Sequence, residues 1–233
     1  MKNKRISAAK KELRHDKFYS LENALGFFCD SYAEKFQAKF DESVEFTLKL
    51  SIDPLKSDQM VRGTVVMPHG LGKAVRVMAI VDDSDVEAAI AAGADFAGNE
   101  DMIEKIQDGF TDFDVCVATP GMMPKISKVA KKLGPKGLMP NPKSGSVTTE
   151  FSKAIEVFKR GCVEFKSDKN ALIHTTVGKI SSGVIKIKEN ITALYRAILD
   201  AKPEKSKGDL VIRCSICSSQ GPSLKLDLKS IIV

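Results

Sequence analysis

A chain of 233 residues with 43% hydrophobic content has the material for one large core or two ordinary ones. Its formal net charge of +6 suits a polyanionic partner and equally an ordinary hydrated surface, so charge alone names no ligand. No run approaches the roughly 18 consecutive apolar residues that span a bilayer, and the basic start Met1-Lys-Asn-Lys-Arg leads into no apolar stretch, which argues against a membrane span or a secretion signal and for a cytoplasmic protein.

Residues 6–36 carry helical patterning in two pieces. Lys2, Lys4, Arg5, Lys10, Lys11, Arg14 and Lys17 make the first strongly basic, which fits either a solvated face or a phosphate contact. In the second, Ser20 is a candidate N-cap, and Leu21, Leu25, Phe28 and Tyr32 recur on one apolar face. From Ser43 the period changes to two. Val44, Phe46, Leu48 and Leu50 alternate with Glu45, Thr47 and Lys49, which predicts a strand with one wet face. A second strand spans Val61 to Met67 and stops at Pro68, which has no amide hydrogen to give.

After Pro68 strands and helices alternate: strand Val75–Val81, helix Ser84–Ala92, a short strand near Phe96, helix Glu100–Gln107, strand Phe113–Ala118, helix Pro124–Leu133. That alternation implies crossover connections and a parallel sheet. Acids from Asp82 to Asp114 dominate this region. The stretch Thr119–Thr149 then holds six lysines (Lys125, Lys128, Lys131, Lys132, Lys136, Lys143) and no acid, with prolines and glycines interleaved. Fixed and permissive torsions in alternation, with Leu138 and Met139 among them, predict a shaped loop that packs back on its own domain. A helix at Phe151–Lys159 follows. Alternation returns in Cys162–Lys166, Leu172–Val177 and Leu210–Cys217, with a helix at Glu189–Ala201 between the last two.

Head and tail thus have the same character and the middle another. The economical reading is an α+β domain built from both chain ends, residues 1–67 and 160–233, with an α/β domain of Rossmann-like, parallel-sheet type, residues 68–159, inserted on a two-stranded hinge. Composition alone also permits three consecutive small domains.

Catalytic chemistry finds little support. Gly70-Leu-Gly-Lys73 lacks the spacing of a phosphate-wrapping loop and precedes a strand instead of following one. His15, His69 and His174 are scattered, with no nucleophile pattern beside them. Cys214-Ser-Ile-Cys217 has no second ligand pair to complete a zinc site, and its segment reads as a strand, so small core thiols are the simpler reading of Cys214 and Cys217. An enzyme using the crevice at the strand ends of the α/β part remains the rival class, and it would need acid-base or phosphate-cradling groups there.

RNA binding has three candidate places: Lys39-Phe40-Asp41-Glu42-Ser43 at the entry of a strand, where Phe40 is either a stacking platform or a core residue; Asp168, Lys169, His174 and Lys179 around another strand; and the turn Ser218-Ser-Gln-Gly-Pro222, which presents backbone amides and hydroxyls.

Three motifs carry a resemblance: Val61-Arg-Gly-Thr-Val-Val-Met-Pro-His-Gly-Leu-Gly-Lys73, Leu133-Gly-Pro-Lys-Gly-Leu-Met-Pro-Asn-Pro-Lys-Ser-Gly-Ser-Val147 and Asp168-Lys-Asn-Ala-Leu-Ile-His-Thr-Thr-Val-Gly-Lys179. In that order and spacing the chain resembles the bacterial form of large ribosomal subunit protein one, the protein of the mobile stalk at the exit site, and the likeness runs from the N-terminal helix to about Leu226. The resemblance implies the same two-domain architecture and a structural, non-enzymatic role without cofactor or metal. It implies ribosomal RNA, exit-site tRNA and the leader of its own messenger as partners, the last for repression of translation, with the chain a monomer away from the ribosome. Carried over by position, it implies RNA contacts at Lys39, Phe40, Glu42 and Ser43, at Lys166, Asp168 and His174, and at Ser219, Gln220 and Gly221. One departure stands out: the family's Thr-Met-Gly is Ser219-Gln220-Gly221 here, which keeps the hydroxyl and loses the apolar contact.

Overall fold

The computed structural model describes residues 4–13, 17–54, 56–203 and 208–231, so Lys2, Arg14 and His15, named above, lie outside the described residues. In chain order the elements are α1 (Lys4–Glu12), α2 (Leu21–Gly26), a π-helical stretch at Phe27–Tyr32 leading into α3 (Ala33–Lys35), β1 (Ser43–Leu50) and β2 (Arg62–Val66). Then come β3 (Val77–Ile80), α4 (Val86–Ala91), β4 (Phe96–Gly98), α5 (Glu100–Gln107), β5 (Val115–Ala118), α6 (Met123–Ile126), α7 (Ala130–Leu133) and α8 (Phe151–Lys159). The tail supplies β6 (Cys162–Lys166), β7 (Leu172–Lys179), α9 (Val184–Asp200), β8 (Val211–Ser218) and β9 (Ser223–Leu226). Helices and strands are mixed throughout. They sort into two compact units, the described residues of Met1–Gly72 with Val163–Val233, and Lys73–Cys162.

In the first unit β1 is an inner strand of a four-stranded antiparallel sheet ordered β7-β1-β8-β9. Its side chains dictate that place. Val44, Phe46, Leu48 and Leu50 are all buried while Glu45 and Lys49 are exposed, and a slip of one residue would invert every one of them. The buried face shares its core with α9, through Ile187, Ile191, Leu194 and Ile198, and with the helical segment 21–35, through Leu21, Leu25, Phe28 and Tyr32. Each such side chain contributes about 1.5–3 kcal/mol by leaving water. The opposite face, carrying Thr47, Lys49, His174, Arg213, Ser215 and Lys225, has none of these buried. Separately, β2 and β6 pair as a two-stranded sheet.

The residues after Pro68 stay with this first unit. Asn190, itself buried on α9, accepts the His69 amide at 3.1 Å and donates to the Gly70 carbonyl at 2.9 Å and the Val177 carbonyl at 2.8 Å. That clamp is why the division falls at Gly72 and Lys73, some residues beyond the proline that marks it in the sequence.

The second unit is a parallel sheet ordered β4-β3-β5. All four residues of β3 are buried, as a strand covered on both faces requires. Met78 and Ile80 pack with Ile103 and Ile106 of α5 and with Ile126, Val129 and Leu133; Val77 and Ala79 pack with Ala89, Ile155 and Phe158 of α4 and α8. Leu138 and Met139 are half-buried against the first of these clusters, so the lysine-rich loop does pack on its own unit.

Three elements differ from the pattern in the sequence. The helix expected over 124–133 is broken into α6, a 3-10 turn at Ser127–Val129, and α7, and Ser127 Oγ donates back to the Met123 carbonyl at 2.9 Å, a bond that bends helices. α9 begins at Val184, after Gly183 at φ 83°, ahead of the expected Glu189, because its first turn leaves Ile185 exposed and so breaks the apolar phase. Strand β9 has only Leu224 and Leu226 to signal it and went unread.

Candidate nucleic-acid interface

The entry to β1 and the turn between β8 and β9 are built on one carboxylate. Glu42 is wholly buried, and its oxygens accept from Ser218 Oγ at 2.6 Å, the Ala38 amide at 2.8 Å, Arg5 Nη1 at 3.0 Å, Tyr32 Oη at 3.2 Å and the Gln220 amide at 3.4 Å. Burial opposes its ionisation, but the bonds from Ser218, Ala38, Arg5 and Gln220 outweigh that and hold the carboxyl below its ordinary value. The π-helical stretch serves this centre, since the widened turn ends at Tyr32, whose ring packs in a buried cluster with Phe28 at 5.8 Å and Phe36 at 6.2 Å.

Above this centre the loop 39–43 is pinned from both sides. On one, Lys179 Nζ donates to the Asp41 carbonyl at 2.9 Å and Ser181 Oγ to the Asp41 carboxylate at 2.6 Å. On the other, the Ser219 amide donates to the Ser43 carbonyl at 3.0 Å and the Ser43 amide to Ser219 Oγ at 3.1 Å. Lys39 and Phe40 are what the loop leaves exposed, and Phe40 keeps 48% of its surface open. An aromatic ring that the core does not take, on a loop pinned at Asp41, Glu42 and Ser43, is a stacking platform in form. Gly221 is constrained from beneath: a Cβ there would overlap Ser218 Oγ and lie 3.1 Å from Tyr32 Oη.

At the far end of the same sheet Asp168 shapes a turn. Its carboxylate accepts the Leu172 amide at 2.7 Å and the Asn170 amide at 2.8 Å, which supports Ala171 at φ 57°. The Leu172 amide is the main reason its carboxyl titrates below the usual value, with Asn170 and the nearby His174 adding to it against burial. His174 is exposed on β7, directly across from Thr47, and shares a hydrogen bond with it through Nδ1 at 3.3 Å. Lys166 is exposed at the end of β6.

The structure therefore arranges the residues named from the sequence in two groups. Lys39, Phe40, Ser43, Ser219, Gln220 and Gly221 gather where β1 begins; His174 lies opposite Thr47, about 13 Å along the strand at 3.3 Å per residue, and Asp168 shapes the turn before Leu172, which pairs with Lys49 about 20 Å along. Glu42, which the resemblance implies as an RNA contact, is wholly buried, and its carboxylate is taken by five partners within the protein. Thr47, Lys49, Arg213, Ser215 and Lys225, which the sequence reading did not name as contacts, share the open face, with Lys49 opposite Arg213 and Ser215 flanked by Thr47 and Lys225. The wet side of β1 is legible in its alternation; the residues of β8 and β9 join it only through register.

In the second unit the lysine loop is partly neutralised. Lys125 pairs with Glu100 at 2.8 Å, Lys136 Nζ donates to Thr111 Oγ1 at 2.6 Å, and Lys132 reaches the Gln107 carbonyl, while Lys128 and Lys131 are exposed. Cys214 and Cys217, three apart on a strand, fall on opposite faces; burial, with Asp227 nearby, pushes the Cys214 thiol up to about 12. Among the described residues no group of His, Cys, Asp and Glu is arranged to hold a metal ion, and no helix is long and apolar enough to cross a membrane.

Residues 31–222 match the model of the family described as "Ribosomal protein L1p/L10e family". The chain is 46% identical over 224 residues to the "Large ribosomal subunit protein uL1" of Lactobacillus delbrueckii subsp. bulgaricus, a match covering 96% of this chain and 95% of that protein. It is 42% identical over 231 residues to the protein of the same name from Kosmotoga olearia, covering 99% and 98%, and 47% identical over 225 residues to that of Solibacter usitatus, covering 96% and 93%. With the family model spanning most of its length and such relatives aligned nearly end to end, the chain belongs to the ribosomal protein L1p/L10e family.

Proposed function

We propose that the chain is a structural constituent of the large ribosomal subunit that grips ribosomal RNA with the open face of the β7-β1-β8-β9 sheet and the loops at its two ends. The family is one of structural ribosomal proteins and not of enzymes, which puts this chain on the ribosome in the cytoplasm. The observation that carries the RNA reading is Phe40, exposed on a loop whose polar groups are tied down by Glu42, Ser219, Lys179 and Ser181. A preformed platform loses little entropy on stacking a base, and the Ser219 hydroxyl and the Gln220 side chain beside it suit sugar and phosphate contacts. Asp168, His174 and Lys166 would contact the RNA at the other end, with Ser43 and Lys39 completing the first group.

On this reading the described residues of 1–72 and 163–233 are the anchor, and residues 73–162 form a mobile insert on the hinge made by the two chain crossings. Its exposed Lys128 and Lys131 favour a role near exit-site tRNA, helping it move and leave the ribosome. Repression of its own messenger follows if the leader copies the ribosomal site, since one RNA-shaped face would then bind both.

Filter binding of the full chain to a transcript of the ribosomal RNA stalk helix tests the anchor. Retention is expected to be tight and to fall steeply with salt; Phe40→Ala is expected to weaken it about 10- to 100-fold, the worth of one base stacked on an aromatic ring, and Ser219→Ala about tenfold. Both variants binding like the parent would remove these residues from the interface.

A further inference from the structure

The first helix reaches the turn that the proposed interface depends on. Arg5 of α1 extends its guanidinium beneath Ser219-Gln220-Gly221 and donates four times: Nη1 to the Phe36 carbonyl at 2.8 Å and to Glu42 Oε1 at 3.0 Å, Nη2 to the Gln220 carbonyl at 3.2 Å and to Gln220 Oε1 at 3.2 Å. The fork geometry matters, because one planar group on α1 satisfies acceptors on two separate segments, 36–42 and the turn, and so ties all three together. The residue at 220 decides how many of those bonds can form. A glutamine offers a side-chain carbonyl to Nη2, whereas an apolar residue there offers only its backbone oxygen.

We infer that Arg5 is a positioning residue for RNA binding and that Gln220 serves as its side-chain catch, so that α1 latches the 218–222 turn in register with the loop bearing Phe40. The Gln220 side chain thereby gives its carbonyl to the guanidinium while staying exposed, and the RNA is met by the Ser219 hydroxyl. The latch rests on the RNA reading above and adds to it a dependence on the N-terminal helix, all of which lies outside the residues matched by the family model. The bond between Nη2 and the Gln220 side chain is exposed, so competition with water weakens it, whereas the bonds of Nη1 are partly buried.

The test uses the full chain and the same stalk-helix transcript, with Arg5→Ala, Arg5→Lys, Gln220→Ala and the Arg5→Ala/Gln220→Ala pair. Arg5→Ala is expected to weaken binding about tenfold and Gln220→Ala about threefold, with the pair no weaker than Arg5→Ala alone, because the catch has nothing left to hold. Arg5→Lys should not restore the parent affinity, since an ammonium cannot span the three acceptors. The dependence of affinity on salt should keep the parent slope, where loss of a phosphate contact would reduce it by about 0.9. In the free protein, the amides of Gln220 and Gly221 should exchange faster in Arg5→Ala while those of β1 do not. Additive losses in the pair, a reduced salt slope, or unchanged exchange in the turn would overturn the latch while leaving the RNA reading intact. Parent-like binding by Arg5→Ala would do the same. A parent chain that fails to bind the transcript would overturn both.

Discussion

Replacing Glu42 by alanine would take the carboxylate from the Arg5 guanidinium and leave the Tyr32 and Ser218 hydroxyls and the Ala38 amide without the acceptor they share. Breaking a buried charged pair in this way costs about 3–5 kcal/mol, so urea unfolding of Glu42→Ala should show a loss of that order. The same network gives a pH signature. The folded-state carboxyl titrates below its ordinary 4.5, so its contribution is fully present above that value and is lost as pH falls through the lower folded value. Acid titration of Glu42→Gln should show a shallower fall in stability below pH 4.5 than the parent; an identical profile would mean that the carboxylate is not held as described. At this scale the place of the loop 39–43 at the entry of a strand could be anticipated, while Phe40 was open between a stacking platform and a core residue until the fold left its ring exposed. The role of Glu42 could not be anticipated, because the residues that turn it inward, Arg5, Tyr32 and Ser218, come from three distant parts of the chain.

The turn between β8 and β9 depends on a residue with no side chain. A methyl at 221 would overlap Ser218 Oγ, which is held to Glu42 at 2.6 Å and cannot simply swing away. Gly221→Ala should therefore lower stability by about 1–3 kcal/mol and weaken RNA binding together, both measurable on one preparation by thermal melting and filter binding. In the core, Ile191→Ala removes a wholly buried side chain from the seam between α9 and the sheet and should cost about 2–5 kcal/mol with RNA affinity per folded molecule unchanged. Elements were readable from the sequence where burial is strictly periodic, as in β1 and α5, whose bounds match their patterns. They were not where a local bond competes with the period. Ser127 breaks one helix by bonding its own backbone, and Ile185 hides the start of another by sitting exposed in its first turn.

Among the described residues, the four-stranded antiparallel sheet belongs to one body, drawn from both ends of the sequence, and the three-stranded parallel sheet to the other. The change from plain alternation to strand-helix alternation is what made that legible, because antiparallel strands with one wet face and parallel strands buried on both faces leave different residue patterns. Charge gave less. The loop concentrates six lysines, of which Lys125 pairs with Glu100 and Lys136 and Lys132 bond groups of their own unit. The account therefore assigns anchoring to the open antiparallel sheet and not to the lysine loop.

The comparison that tests this assignment most directly is filter binding of the stalk-helix transcript by two full-length double variants, Phe40→Ala/His174→Ala and Lys128→Ala/Lys131→Ala. The account predicts a loss of about 100-fold or more for the first and less than about tenfold for the second, from one stacking contact and one cross-strand polar contact against two solvated cations. Near-parent affinity in the first with collapse in the second would contradict it.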